Sequence, residues 1–121
     1  AGHLGKAFEL LWCDSVDDKT VSELGGHLRS SVIEVVTALT GPSRDPEATS
    51  ARLREWLATR APLEDRSVAA LVDYVNAVQH LNQRLTHIRD EVGKGRPTVH
   101  WSELRRACYM TSGCCYELGQ L

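Results

Sequence analysis

A single all-α bundle of about five helices, with one long central helix over 65–92, is the fold class this sequence predicts. Apolar residues recur at helical spacing in segment after segment, and no segment alternates with period two over strand length. The stretch from Asp65 to Val92 is also too apolar for a surface helix. Val68, Leu71, Val72 and Val75 share one side of it, while Tyr74, Ala77, Val78, Leu81, Leu85, Ile88 and Val92 form a second side along its whole length. Towards its C-terminal end the first side turns polar, reading Gln79, Asn82, Thr86 and Arg89. That pattern suits a central helix with a polar cleft, or a polar partner, at one end.

The elements follow in order. A first helix over about 4–12 carries Leu4, Ala7, Phe8 and Leu11 at helical spacing, and a polar break over 14–18 ends it. Thr20-Val-Ser-Glu23 reads as a capping box opening a second helix, whose stripe is Val21, Leu24, Leu28, Val32, Val35 and Leu39. Gly41-Pro42 stops it, because glycine accepts the left-handed terminal turn and proline cannot continue a helix. Asp45-Pro46 reads as N-cap and first residue of a short third helix bearing Ala48, Leu53, Trp56 and Leu57, closed by Ala61-Pro62. The long fourth helix ends at Gly93. A fifth, over about 100–118, buries Leu104, Ala107, Cys108, Thr111, Cys115 and Leu118. From these stripes Leu28, Val32, Val35, Val75, Val78, Leu85, Leu104 and Cys115 are expected in the core.

The 121 residues make one domain over 1–121, large enough to bury a core without staples. A formal net charge of −2 gives no long-range pull towards nucleic acid, so any phosphate binding would need a local basic cluster. No apolar run is long enough to span a membrane. The start has no signal-peptide pattern and no initiating Met, which is compatible with processing, an excised domain or, around His3, a cloning scar. Cys13, Cys108, Cys114 and Cys115 read as reduced thiols of a cytoplasmic protein. The excess of Arg over Lys reads as GC-rich, bacterial coding.

Few constellations carry chemistry. Glu23 and His27 stand at i, i+4, a spacing that can chelate, but a capping Glu and a surface His explain them. His80 and His87 lie on a polar stripe with Asp73, Asn76 and Arg84, two turns apart, and cannot share one metal. No zinc pattern exists, so neither metal nor cofactor is expected. Cys108 and Cys115 fall on the core stripe, with Cys114 at its edge, and Thr111-Ser-Gly-Cys-Cys115 is a run of small side chains suited to a close helix contact within the chain or across a dimer. A catalytic thiol would have His100 as its base. Gly26-His27-Leu28-Arg29 superficially echoes a phosphoaccepting helix, without the residues that usually follow it.

The most pointed element is the segment Ile88-Arg89-Asp90-Glu91-Val92-Gly93-Lys94-Gly95-Arg96-Pro97, a long helix ending in Arg-Asp before a glycine-rich basic loop. It resembles the corresponding stretch of HEPN-type helical domains, including the C-terminal domains of bacterial abortive-infection proteins. Arg89, Asp90, Gly93 and Gly95 carry the resemblance, and Arg96 stands where the motif histidine would fall. The resemblance implies an RNase site across a dimer, with Arg89 holding the scissile phosphate and His87 or His100 as base. Asn82, Arg89, Lys94 and Arg96 are the candidate anion or RNA contacts. With the motif histidine displaced, a non-catalytic relative is expected: a helical interaction domain, homodimeric through Ile33 of the second helix or the small-residue run of the fifth, with RNA a weaker partner and no membrane.

Overall fold

The computed structural model describes residues 2–12, 17–60, 64–88 and 99–121. Among them the secondary structure is entirely helical: α1 (Gly2–Leu11), α2 (Asp18–Thr40), α3 (Thr49–Ala58), α4 (Asp65–Thr86) and α5 (Trp101–Gly119). The all-α bundle is therefore what forms, and the expected apolar stripes supply most of its interior.

Among the described residues α2 touches all four other helices, whereas α1 packs only on α2 and α5, and α3 only on α2 and α4. Two apolar clusters result. One gathers Ala7 and Leu11 of α1, Val21, Leu24 and Leu28 of α2, Leu85 and Ile88, Val99, and Leu104, Ala107 and Cys108 of α5. The other gathers Val32 and Val36 of α2, Leu53 and Leu57 of α3, Val72, Val75 and Val78 of α4, and Cys114 and Leu118 of α5. α2 and α4 cross closely between them: a Cβ on Gly25 would stand 2.6 Å from Leu85 Cβ and 2.7 Å from the Thr86 nitrogen. Only glycine permits that approach, since any side chain there would drive the two helices apart.

Local details differ from expectation where tertiary contacts outvote local ones. α2 begins earlier: Asp17 is its N-cap, with its carboxylate accepting from the Thr20 nitrogen at 2.7 Å, and no capping box forms around Thr20. A carboxylate caps well because its charge also opposes the positive end of the helix dipole. Glu23 lies instead 4.0 Å from Lys19. α3 begins later, at Thr49, without a side-chain cap. Residues 45–48 form a turn because two arginines hold it, Arg52 donating to the Pro46 carbonyl at 2.8 Å and Arg29 pairing with Glu47 at 2.9 Å. α4 ends at Thr86, short of the expected 92, and the Ser22 hydroxyl donates to the terminal Thr86 carbonyl at 2.6 Å. Its 22 residues span about 33 Å rather than 40. Gly93, Val92 and the Ala61-Pro62 stop lie outside the described residues.

Two core assignments shift by one residue. Val36 and Cys114 are fully buried, and Val35 and Cys115 only half so. Ala77, expected on an apolar side of α4, is exposed.

Candidate functional site

Over the described residues the polar side of α4 meets polar partners on α2 and α5. Asn82 is completely buried and its amide donates to Thr111 Oγ1 of α5 at 3.0 Å. Gln79 donates across to the Arg29 carbonyl of α2 at 3.2 Å, and Thr86 returns its hydroxyl to the Asn82 carbonyl at 2.9 Å. Ser31 of α2, also buried, bonds to the Leu28 carbonyl at 2.6 Å. These groups form a polar layer between the two apolar clusters. Each is matched to a protein partner, as burial demands, and Asn82, one of the candidate anion contacts, is engaged within the fold.

The remaining candidates of the loop reading fall only partly within the described residues. Arg89, Lys94, Arg96 and the rest of the HEPN-like segment lie outside the described residues. His87 is exposed at the C-cap of α4, and His100 is exposed at the N-cap position of α5. His80, Asp73, Asn76 and Arg84 are exposed, as a solvated stripe should be. Among the described residues no group of three or more His, Cys, Asp or Glu is gathered to hold a metal.

The cysteines of α5 are chemically quiet. Burial pushes the Cys108 thiol up to about 11, and burial with its neighbour Cys115 pushes Cys114 up to about 12, so the reactive thiolate is withheld at neutral pH. The small-residue run serves packing inside the chain: Thr111 and Cys114 are buried, and a Cβ on Gly113 would stand 2.9 Å from the Tyr74 hydroxyl, which itself donates to the Met110 carbonyl at 3.0 Å.

What the sequence analysis did not single out is an aromatic face. Trp12, Trp101, Tyr109 and Tyr116 are 70%, 40%, 55% and 65% exposed, and with Leu121 they are the large apolar side chains most open to solvent among the described residues. On α5, Trp101, Arg105, Tyr109 and Tyr116 recur at i, i+4, i+8 and i+15, which places them within one side of a helix. α1 extends this face. Phe8 meets Tyr109 edge-on at 5.7 Å, and the rings of Trp12 and Trp101 lie 6.1 Å apart. Arg105 reaches over both Trp101 and Tyr109, at 6.0 and 5.9 Å from the ring centres. The Trp101 indole donates to the Leu11 carbonyl at 3.3 Å, tying α5 to the end of α1. The residues are plain in the sequence, but sites 90 positions apart become one surface only through the α1–α5 contact.

A second missed feature is a histidine pair. His3 of α1 and His27 of α2 meet at 2.8 Å, Nδ1 to Nδ1, and His3 Nε2 lies 3.2 Å from Glu34. His27 is half-buried with its ring nitrogen engaged, which is not the exposed histidine a phosphotransfer helix requires.

Comparison with known proteins finds no match: no family model, no curated protein and no solved structure corresponds to this chain. Among the described residues no helix is long and apolar enough to cross a membrane.

Proposed function

We propose that this chain is a non-enzymatic helical interaction domain of a bacterial cytoplasmic protein, pairing with a second copy of itself through the outer side of α5 and the end of α1. The observation that carries the reading is the concentration of exposed aromatic side chains on that face, around an arginine with no carboxylate partner among the described residues. Trp, Tyr and Arg are the side chains that dominate binding energy at protein interfaces. Four aromatics exposed to this degree present on the order of 400–500 Å² of apolar surface, the size of patch that commonly marks a binding site. Two copies meeting there would remove about 1,000 Å² in total, the lower end of a specific interface. A reducing, cytoplasmic setting suits the free thiols of Cys108, Cys114 and Cys115.

Light scattering at high micromolar concentration tests the reading. The expected result is a dimer, converted to a monomer of unchanged helicity by Trp12→Ser with Tyr116→Ser. A monomeric parent protein would overturn it.

One observation favours a second reading, weak binding of single-stranded RNA, in keeping with the HEPN-type alternative. Rings that alternate with a stacked arginine are also a platform for unpaired bases. Binding of a short RNA that falls steeply with salt and is lost in Arg105→Ala would favour it.

A further inference from the structure

α1 is held to α2 by the apolar contacts of Ala7 and Leu11 and by the His3–His27 pair. The two rings are tilted 33° with centroids 5.1 Å apart, and their Nδ1 atoms, at 2.8 Å, have room for one hydrogen between them. With both rings neutral, His27 donates to His3, and His3 donates from Nε2 to Glu34. With one added proton on the pair, one facing nitrogen still donates and the other accepts. With two, each facing nitrogen carries a hydrogen, no lone pair lies between them, and two cations stand at hydrogen-bond distance.

We propose that this pair is a proton-operated latch: docking of α1 tolerates the first proton and excludes the second, so acid releases α1 and dismantles the part of the aromatic face that Phe8 and Trp12 supply. The regulatory consequence rests on the self-association reading above, whereas the latch itself does not.

The surrounding charges act in the same frame. Lys6 of α1 adds to the repulsion on a charged His27, and Glu23 of α2 reduces it, while Glu34 of α2 sits on the far side of His3. α5, the other helix packed on α1, brings Arg105 to the opposite, aromatic end. Burial, then His3, then Lys6 lower the affinity of His27 for a proton against the opposing pull of Glu23. A base whose folded value is lowered favours docking fully above its ordinary value of 6.5 and loses that contribution as pH falls from there through the lowered value.

Hydrogen-exchange protection of the α1 amides, corrected for intrinsic rates, tests the latch against α3, which shares no contact with α1. Between about pH 7.5 and about pH 5, which spans the histidine range, α1 should lose protection several-fold more than α3. His27→Gln, which keeps a hydrogen-bonding side chain but takes no proton, should flatten that difference, and Lys6→Gln should move the release to lower pH. Equal loss in α1 and α3, or an α1 that stays protected in acid, would overturn the latch. Light scattering over the same range separates the two readings. Acid release of α1 in a chain monomeric at every pH supports the latch and sinks self-association. A dimer whose α1 stays protected in acid sinks the latch alone.

Discussion

The two ends of this bundle are built from the same materials and finished differently. At the α3 end, polar groups are closed on one another. Arg52 alone donates to the Pro46 and Gly41 carbonyls and to the hydroxyls of Thr37 and Thr40, satisfying the last turn of α2 and fastening the loop beyond it. Gly41, at φ 90°, makes the turn that brings its carbonyl into reach. At the α1 end, aromatic rings are left open to solvent, and the helix is fastened partly by the His3–His27 pair. Polar groups bonded to one another within the chain offer less to a partner than exposed rings around an arginine with no carboxylate partner among the described residues. The contrast is what supports placing the proposed interface at the α1 end.

The largest effects should come from the cores beneath both ends. Leu85→Ala in the first cluster and Leu53→Ala in the second should each cost about 2–5 kcal/mol in chemical denaturation, since both are fully buried. If only one did, the two ends would not be equivalent supports and the comparison would fail at its base. Gly25→Ala should cost about 1–3 kcal/mol by forcing α2 from α4 at the crossing, measured in the same way, and a neutral result would mean that the crossing yields freely.

Next come the polar layer and the closed end. Asn82→Ala leaves the Thr111 hydroxyl buried without its partner and should cost about 1–3 kcal/mol, whereas Asn82→Leu with Thr111→Val should recover much of that loss. A double variant no better than the sum of the single ones would mean that the pair does not act as a unit. Arg52→Ala should cost about 1–2 kcal/mol without altering association, which sharpens the assignment of structure to one end and binding to the other. The smallest stability effect belongs to the open end. Tyr116→Ser should change stability within about 0.5 kcal/mol while weakening self-association, and the reverse pattern would place Tyr116 in the fold.

The apolar periodicities carried the architecture, because a helix repeats a side every three or four residues and five such stripes can be covered only by one another. The wheel turned Val35 and Cys115 inward where the structure buries Val36 and Cys114. Neighbours on a helix differ by about 100°, and the facing direction depends on where the other helices lie. Likewise Asp45-Pro46 is a sound local start signal, but Arg29 and Arg52 hold that segment in a turn, and nothing local announces them. The polar side of α4 was readable as a change of character. Its partner Thr111, 29 residues on, was assigned to a stripe but not to a bond. The site was less legible still. Pairing His3 with His27, or Trp12 with Trp101, is a consequence of how α1 lies against α2 and α5, and helical spacing within one segment says nothing about it.

Among the described residues α1 and α3 do not touch, which bears on how the molecule carries information. Through the described helices a change at one end reaches the other along α2 or through the contacts of α5 with α4, and both routes pass the level of Ser31, Asn82 and Thr111. Directional bonds at that level hold one arrangement, where packed aliphatic groups would slide among several. Stiffening of the half that carries the aromatic rings should then spread little into the other half, and hydrogen exchange of α3 in protein whose α1 end is occupied would show it.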